Sequence, residues 1–419
     1  MLRTDVRIAG TEPDADQRQL ATSCAVVFLA SASLFIYIPE LAPLLLHDAS
    51  GQLLPPSAST QMRQQLYALA MSVPQLCSAV GAPILGAVSD YWGRKRSLML
   101  AITGVMLAML LCAVSIVSHH TTLFIAGLAT IGLMDGSGVI VQAGLVEGRT
   151  AEAQAADIGK LTTWSILGII CGPLVGGLFS DNRVLPFASS VVPFLLTAAL
   201  FGATLGIIGL FYRERQTIRA AEPRRQSWLR AFARTAMIGQ VRWYLLQFFL
   251  MEIVLACFYE RIPLLLQQRG DTASTIGLYA AYIGLLMALA CAFLVPRIPT
   301  DWTPQRPLTL AFSLLMATSA LLLGEPTWLR TWGAAIPFAL GSATIYCLTM
   351  AKMAESVQAN EQGKIAGLAT FVSGLAFLVA GLVVSNTPAS SSNEFCAFVA
   401  AVAATGIVIV SRNGKSIRR

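Results

Sequence analysis

Gly86-Ala87-Val88-Ser89-Asp90-Tyr91-Trp92-Gly93-Arg94-Lys95-Arg96 is a short charged break between two apolar runs, 65–89 and 97–117. Each run has the length of a helix that crosses a bilayer, about 20 residues. A carboxylate and three cations held between two such runs belong at a membrane surface. Gly86 and Gly93 permit close helix approach and a tight turn. Asp90 can face the positive N-terminus of another helix. Arg94, Lys95 and Arg96 fix the side of the membrane on which the turn lies and can pair with Asp90.

The same alternation of apolar run and polar break extends in both directions. The further spans are 21–46, 122–146, 159–180 and 189–212 in the first half, then 243–266, 275–296, 307–324, 332–353, 364–385 and 394–411. That makes twelve, six on either side of a polar middle stretch. Several contain Pro or Gly, which membrane helices tolerate. Long continuous runs, in place of alternation over about ten residues, exclude a closed barrel. Composition agrees: of 419 residues, 55% are hydrophobic and only 12% charged, with a mean hydropathy of +0.66. Soluble proteins carry about 25% charged residues, so a soluble enzyme, a nucleic-acid-binding domain and a disordered scaffold are all excluded. The expected fold is an all-α polytopic membrane protein of two pseudo-symmetric six-helix bundles. Its parts are an N-tail (1–20), a first bundle (21–212), a basic linker (213–242), a second bundle (243–411) and a C-tail (412–419). The polar N-tail lacks the basic and short apolar regions of a cleaved signal, so the first apolar block is expected to remain as a span.

The net charge is +7, and the position of the cations matters more than their sum. With the N-terminus inside, 24 of the 29 Lys and Arg fall on inner segments, eight of them in the linker. Outer loops hold Arg63, Arg183, Arg269 and Arg330, and Arg261 lies in the seventh span. This asymmetry places both termini in the cytoplasm, and the expected membrane is a bacterial inner membrane. The linker cations set topology and can meet anionic lipid headgroups; without a folded soluble domain, nucleic acid is not a partner. Eight cysteines are spread one per apolar segment with no C-x-x-C spacing, so neither a disulfide framework nor a metal site is indicated. His47, His119 and His120 fall in outer loops.

The halves echo each other. Glu40-Leu-Ala-Pro43-Leu44-Leu45-Leu46 and Glu260-Arg-Ile-Pro263-Leu264-Leu265-Leu266 both read E-x-x-P-L-L-L. Gln154-Ala155 to Gly159-Lys160 and Gln358-Ala359 to Gly363-Lys364 both read Q-A-x-x-x-G-K, after the fourth and tenth spans. Two echoes at corresponding places argue for halves of common design, and transporters place substrate near the midplane between such halves.

Gly86 to Arg96 resembles the G-x-x-x-D-R-x-G-R-R signature of the major facilitator superfamily, at the same place in the topology, with Tyr91 where the family usually has Arg. The likeness covers the whole chain. It implies a secondary transporter working by alternating access, in which Asp90, with Gly86, Gly93, Arg94 and Lys95, latches the halves together on the cytoplasmic side. In the fifth span, Gly168, Gly172, Pro173, Gly176 and Gly177 match the G-x-x-x-G-P-x-x-G-G pattern of the superfamily's drug:proton antiporters. Small residues four apart let helix backbones approach, and Pro173 allows a bend; close packing alone is compatible with the same residues. These antiporters commonly carry an Arg in the fourth span, and here 122–146 has neither Arg nor Lys.

An ionisable group inside the membrane costs about 2.5–3.5 kcal/mol and so marks a functional candidate. Asp135 and Glu252 lie well inside the fourth and seventh spans, and Glu40 and Glu260 lie in outer thirds, at the echoed positions. A carboxylate there can be neutralised by a proton or by a cationic substrate, each excluding the other, which is sufficient for exchange. Asp135 is the first candidate for this coupling and Glu252 the second, with Glu40 and Glu260 as gate or substrate contacts. Tyr37, Gln75, Gln142, Trp164, Gln247, Tyr282 and Tyr346 are candidates to line a cavity. No phosphate-binding loop suggests ATP. The expected function is proton-coupled export of a small amphiphilic or cationic organic compound by a monomer, without a cofactor and without enzymatic activity. A metabolite or siderophore carrier, in either direction, is the alternative within transport, and a transporter-like sensor or partner protein is the alternative outside it.

Overall fold

The computed structural model describes residues 13–46, 53–146, 151–214, 234–299, 301–324, 326–357, 362–387 and 392–417. Among these, every long regular element is a helix, at each of the twelve expected places. The first span is Pro13–Ile36 continued by Ile38–Leu46, the second Thr60–Trp92, the third Arg94–Val117, and the fourth Thr121–Met134 with Ser137–Val146. The fifth is Ala151–Ser180 and the sixth Val192–Phe211. In the second half come Gly239–Gln268, Ala273–Leu289 with a short tail to Arg297, Gln305–Leu321, Trp328–Glu355, Gln362–Asn386 and Ser392–Ile417. Ten of these are long and apolar enough to cross a membrane. The other two are the seventh, which carries Arg242, Glu252, Glu260 and Arg261, and the ninth, which has 17 residues.

Three interruptions have local causes. Pro39 has no N–H to give the carbonyl of Phe35, and the first helix breaks at Tyr37. The fourth span breaks at Asp135 and Gly136, where the Asp135 N–H bonds the carbonyl of Gly132 and Gly136 lies too close to Leu85 to carry a Cβ. In the eighth span, Ala290–Leu294 widens into a π turn and Val295–Arg297 tightens into a 3-10 turn, with Pro296 again removing a donor.

Packing repeats with a shift of six spans. The first span packs on the fifth and sixth, the third on the fourth and sixth, and the second on the fourth. Correspondingly, the seventh packs on the eleventh and twelfth, the ninth on the tenth and twelfth, and the eighth on the tenth. The halves meet through second against eleventh and fifth against eighth, and the same shift exchanges these two pairs. The symmetry implied by the sequence echoes is therefore a symmetry of packing. The Gln19 side chain bonds the backbone of Arg213, at 3.3 and 3.1 Å, which ties the start of the first span to the end of the sixth. The face carrying these ends is called the terminal face below, and its opposite the far face.

The helices approach closely because their contact surfaces are small. Gly168, Gly172 and Gly176, four apart, press one edge of the fifth span against the backbone of the first. A Cβ at Gly168 would lie 2.6 Å from the Phe28 carbonyl oxygen. The next edge crosses to the other half: a Cβ at Gly177 would lie 2.7 Å from the carbonyl of Ala273, and Gly277 abuts the carbonyl of Pro173. The motif thus packs on two neighbours at once, and van der Waals contact between backbones supplies the adhesion that burial from water supplies in soluble proteins.

Candidate functional site

The halves make close contacts toward the far face. Gly177 meets Ala273 and Gly277 meets Pro173 on one side. On the other, Gly381 lies against Ala68 and Ser72, and the Ser72 hydroxyl donates to the Phe377 carbonyl at 3.0 Å. On the terminal side of this seal lies a cavity of about 670 Å3 between the halves. Its wall comes from both: Tyr37, Gln75 and Ser165 from the first half, and Glu252, Tyr259, Tyr346 and Ser373 from the second. Phe35 and Phe377 add aromatic faces, and aliphatic side chains fill most of the remainder.

Among the described residues, Glu252 is the one acidic side chain lining the cavity, and no Lys, Arg or His lines it. It is 6% exposed, and the Ser373 hydroxyl of the eleventh span hydrogen-bonds it. Tyr259 and Tyr346 lie within electrostatic range of its carboxylate. Such a wall suits an apolar, partly aromatic molecule with one positive centre. The carboxylate supplies charge and ring faces supply attraction to a cation, worth about 0.5–2 kcal/mol.

Asp135 stands behind this wall and not in it. It occupies the break of the fourth span, half-buried, and accepts from the Ser78 hydroxyl at 3.3 Å. It is also within electrostatic range of the buried Tyr37 hydroxyl, which does line the cavity. Glu40 is buried at the far end of the first span, where Ser180 and Ser190 hydrogen-bond it. Glu260 is fully buried, and neither carboxylate oxygen has a hydrogen-bond partner among the described residues. Its neighbour Arg261 lies 5.4 Å over the Phe395 ring.

Of the polar and aromatic candidates, Tyr37, Gln75 and Tyr346 line the cavity. Gln247 is fully buried away from it, and Tyr282 packs 5.5 Å from the Trp332 ring. Gln142 is exposed, and Trp164 faces a separate groove beside Lys160 and Phe28. The second Q-A-x-x-x-G-K echo begins at Gln358, outside the described residues, as does most of the linker.

At the terminal face, Asp90 forms its ion pair inside its own turn, 2.7 Å from Arg94, and is largely exposed. Arg94 also donates to Ser89, and Lys95 to the Gly209 carbonyl at 2.9 Å. Gly93 has φ +98°, and the Glu214 carboxylate occupies the space a Cβ would need.

The far face holds a carboxylate that sequence reasoning missed. Asp181 directly follows the fifth span, is 5% exposed, and accepts from the Ser274 hydroxyl at 2.6 Å, across the boundary between halves. Thr272, the residue just before the eighth span, also bonds it, and the Arg183 N–H donates at 3.0 Å. Burial pushes its carboxyl up, but the bonds from Ser274, Thr272 and Arg183 outweigh this and hold it below the ordinary value. A signal was available in the sequence. Gly86-Ala87-Val88-Ser89-Asp90 and Gly177-Leu178-Phe179-Ser180-Asp181 both read G-x-x-S-D, at the ends of the second and fifth spans.

Comparison with known proteins agrees with this arrangement. The sequence profile of the Major Facilitator Superfamily matches residues 23–381. The tetracycline resistance protein, class H, of Pasteurella multocida is 25% identical, over 72% of this chain and 74% of its own. The class C protein of Escherichia coli is 26% identical, over 78% and 81% respectively. Among solved structures, the POT family transporter PepTSo superposes with a TM-score of 0.72 at 13% identity, covering 96% of this chain and 98% of that one.

Proposed function

Because the chain belongs to the Major Facilitator Superfamily, we propose that it exports a small amphiphilic or cationic organic compound by alternating access, in exchange for protons. The observation that carries this reading is Glu252, which among the described residues is the lone carboxylate of a cavity of aromatic and aliphatic side chains, with no basic residue beside it. Relatives named for tetracycline resistance support export of drug-like molecules. The membrane is a bacterial inner membrane, and the terminal face is cytoplasmic, as the 24 inner cations support. The cavity then receives its substrate from the cytoplasm.

The moving bodies are residues 21–212 and 243–411, joined by the basic linker 213–242. Glu252 binds either the substrate cation or a proton. Charged and empty, it is costly in a low-dielectric wall, so one partner enters as the other leaves. Asp135 adjusts Tyr37 from behind and gives a second proton position in a span that lacks the usual Arg. The G-x-x-S-D turns alternate as latches. Asp181 holds the far face closed against the N-terminus of the eighth span, and Asp90 holds the terminal face closed against the start of the eleventh.

The test is uptake into proteoliposomes under an imposed pH gradient, with ethidium as a planar cation and tetracycline as second probe. Wild type is expected to concentrate at least one probe when the gradient is present. Glu252→Gln should abolish this accumulation, and Asp135→Asn should weaken its dependence on the gradient. Unchanged gradient-driven accumulation in Glu252→Gln would overturn the assignment.

A further inference from the structure

The eighth and tenth spans bring two thiols together at the cavity. Cys291 lies in the π turn Ala290–Leu294 and lines the cavity, and its Sγ is 3.4 Å from Sγ of Cys347. Cys347 directly follows the cavity residue Tyr346, and both thiols are free and half-buried. The sequence gives no hint of the pair, because the two cysteines stand 56 positions apart, without metal-ligand spacing.

The geometry selects what such a pair can hold. A soft metal bound linearly by two thiolates separates the sulfurs by twice a metal–sulfur bond, about 4.6 Å if that bond is about 2.3 Å. These thiols are closer than that. A tetrahedral metal needs further ligands, and no group of three or more His, Cys, Asp or Glu with metal-binding geometry exists among the described residues. What fits is a pyramidal centre that takes two adjacent thiols and brings its third substituent with it. A trivalent organoarsenical does this, and the rings and aliphatic groups of the cavity accept its aryl substituent.

We propose that Cys291 and Cys347 form a two-thiol site that captures trivalent aryl arsenicals in the central cavity. With phenylarsine oxide the step is balanced without an oxidant. Two S–H bonds break, two As–S bonds form, and the oxide oxygen leaves as water with both protons, arsenic staying trivalent. The chelate pins the eighth span to the tenth and fills part of the cavity. The inference rests on the position of the two thiols alone and not on the direction or coupling of transport.

The experiment uses the full-length protein, purified in detergent, treated with phenylarsine oxide and washed with excess 2-mercaptoethanol. Adducts on single thiols exchange away in that wash, whereas a chelate persists until 2,3-dimercaptopropanol is added. Intact mass is expected to show one phenylarsine group per wild-type chain, lost in Cys291→Ser and in Cys347→Ser. Alkylation with N-ethylmaleimide followed by peptide mapping gives a second readout on the wild type alone, so the test survives a variant that does not fold. Cys291 and Cys347 should be protected together. Absence of a wash-resistant adduct, its retention in the double serine variant, or protection at other cysteines would overturn the proposal.

Discussion

Removing the Asp181 carboxylate should open the far face, and the size of the effect follows from its contacts. Asp181→Ala deletes the bond from Ser274, 2.6 Å long, and the bond from Thr272. A hydrogen bond to a charged group contributes about 1.5–3 kcal/mol. The Ser274 and Thr272 hydroxyls lie 2.7 Å apart, so with the carboxylate gone one donates to the other, part of the loss is recovered, and about 2–3 kcal/mol is the expected net cost. At about 1.4 kcal/mol per tenfold, the closed-to-open ratio falls roughly 30- to 150-fold. Asp181→Asn keeps an acceptor oxygen but loses the charge, so roughly half the energy should go. Amide hydrogen exchange by mass spectrometry reads this directly, in peptides covering the end of the fifth span and the start of the eighth. Faster exchange in both, graded Ala over Asn, is expected. The same logic fixes the pH dependence. The carboxyl is held below its ordinary value of 3.8 in the folded protein, so its contribution is fully present at neutral pH. It is lost only as the pH falls below the usual carboxylate range. Faster exchange confined to the peptide around Arg183, with the eighth span unchanged, would refute a bridge between halves.

Two further predictions concern packing. Gly176→Ala should destabilise by about 1–3 kcal/mol, since its new methyl meets the Ile36 backbone; Gly206→Ala, with nothing within 4 Å, should be neutral or gain up to about 1 kcal/mol, and thermal unfolding in detergent separates the two. Phe258 stacks on Phe338 at 3.9 Å and 3% exposure, so Phe258→Ala should cost about 3–5 kcal/mol, seen as a lower midpoint in the same assay.

The fold was legible because lipid leaves few options: a run of about 20 apolar residues must be a helix, and the distribution of cations orders the spans. The helix breaks were half-legible. Pro39, Gly136 and Pro296 lie at them, but these residues do not say that the eighth span widens into a π turn at Cys291. The site was harder to read. Asp135 looked the better coupling residue by depth alone, yet depth does not say which way a side chain faces, and the break at Gly136 leaves it behind Tyr37. Glu252 was equally visible as an intramembrane acid, but its isolation in the wall depends on seven spans meeting. Asp181 was passed over because it lies outside the apolar runs, where a carboxylate costs little and draws no notice. The Cys291–Cys347 contact was invisible for the same reason that Glu252's setting was, being a product of tertiary packing.

The pairing of Asp90 with Asp181 leads to a test that neither residue supplies alone. Each ends a span in a G-x-x-S-D turn, and on the proposed cycle each faces the start of a span in the other half, at opposite faces of the membrane. A rigid rocking motion lets only one of these latches close at a time. Loss of Asp181 therefore favours opening at the far face, and loss of Asp90 favours opening at the terminal face. The two sites lie at opposite ends of the fold and share no partner among the described residues, so their effects should add. Exchange in Asp90→Ala/Asp181→Ala should then return toward the wild-type pattern at both faces, with each single variant displaced in an opposite sense. If the double variant exchanges faster than wild type at both faces at once, the acids are independent local braces, and the alternation assigned to them is wrong.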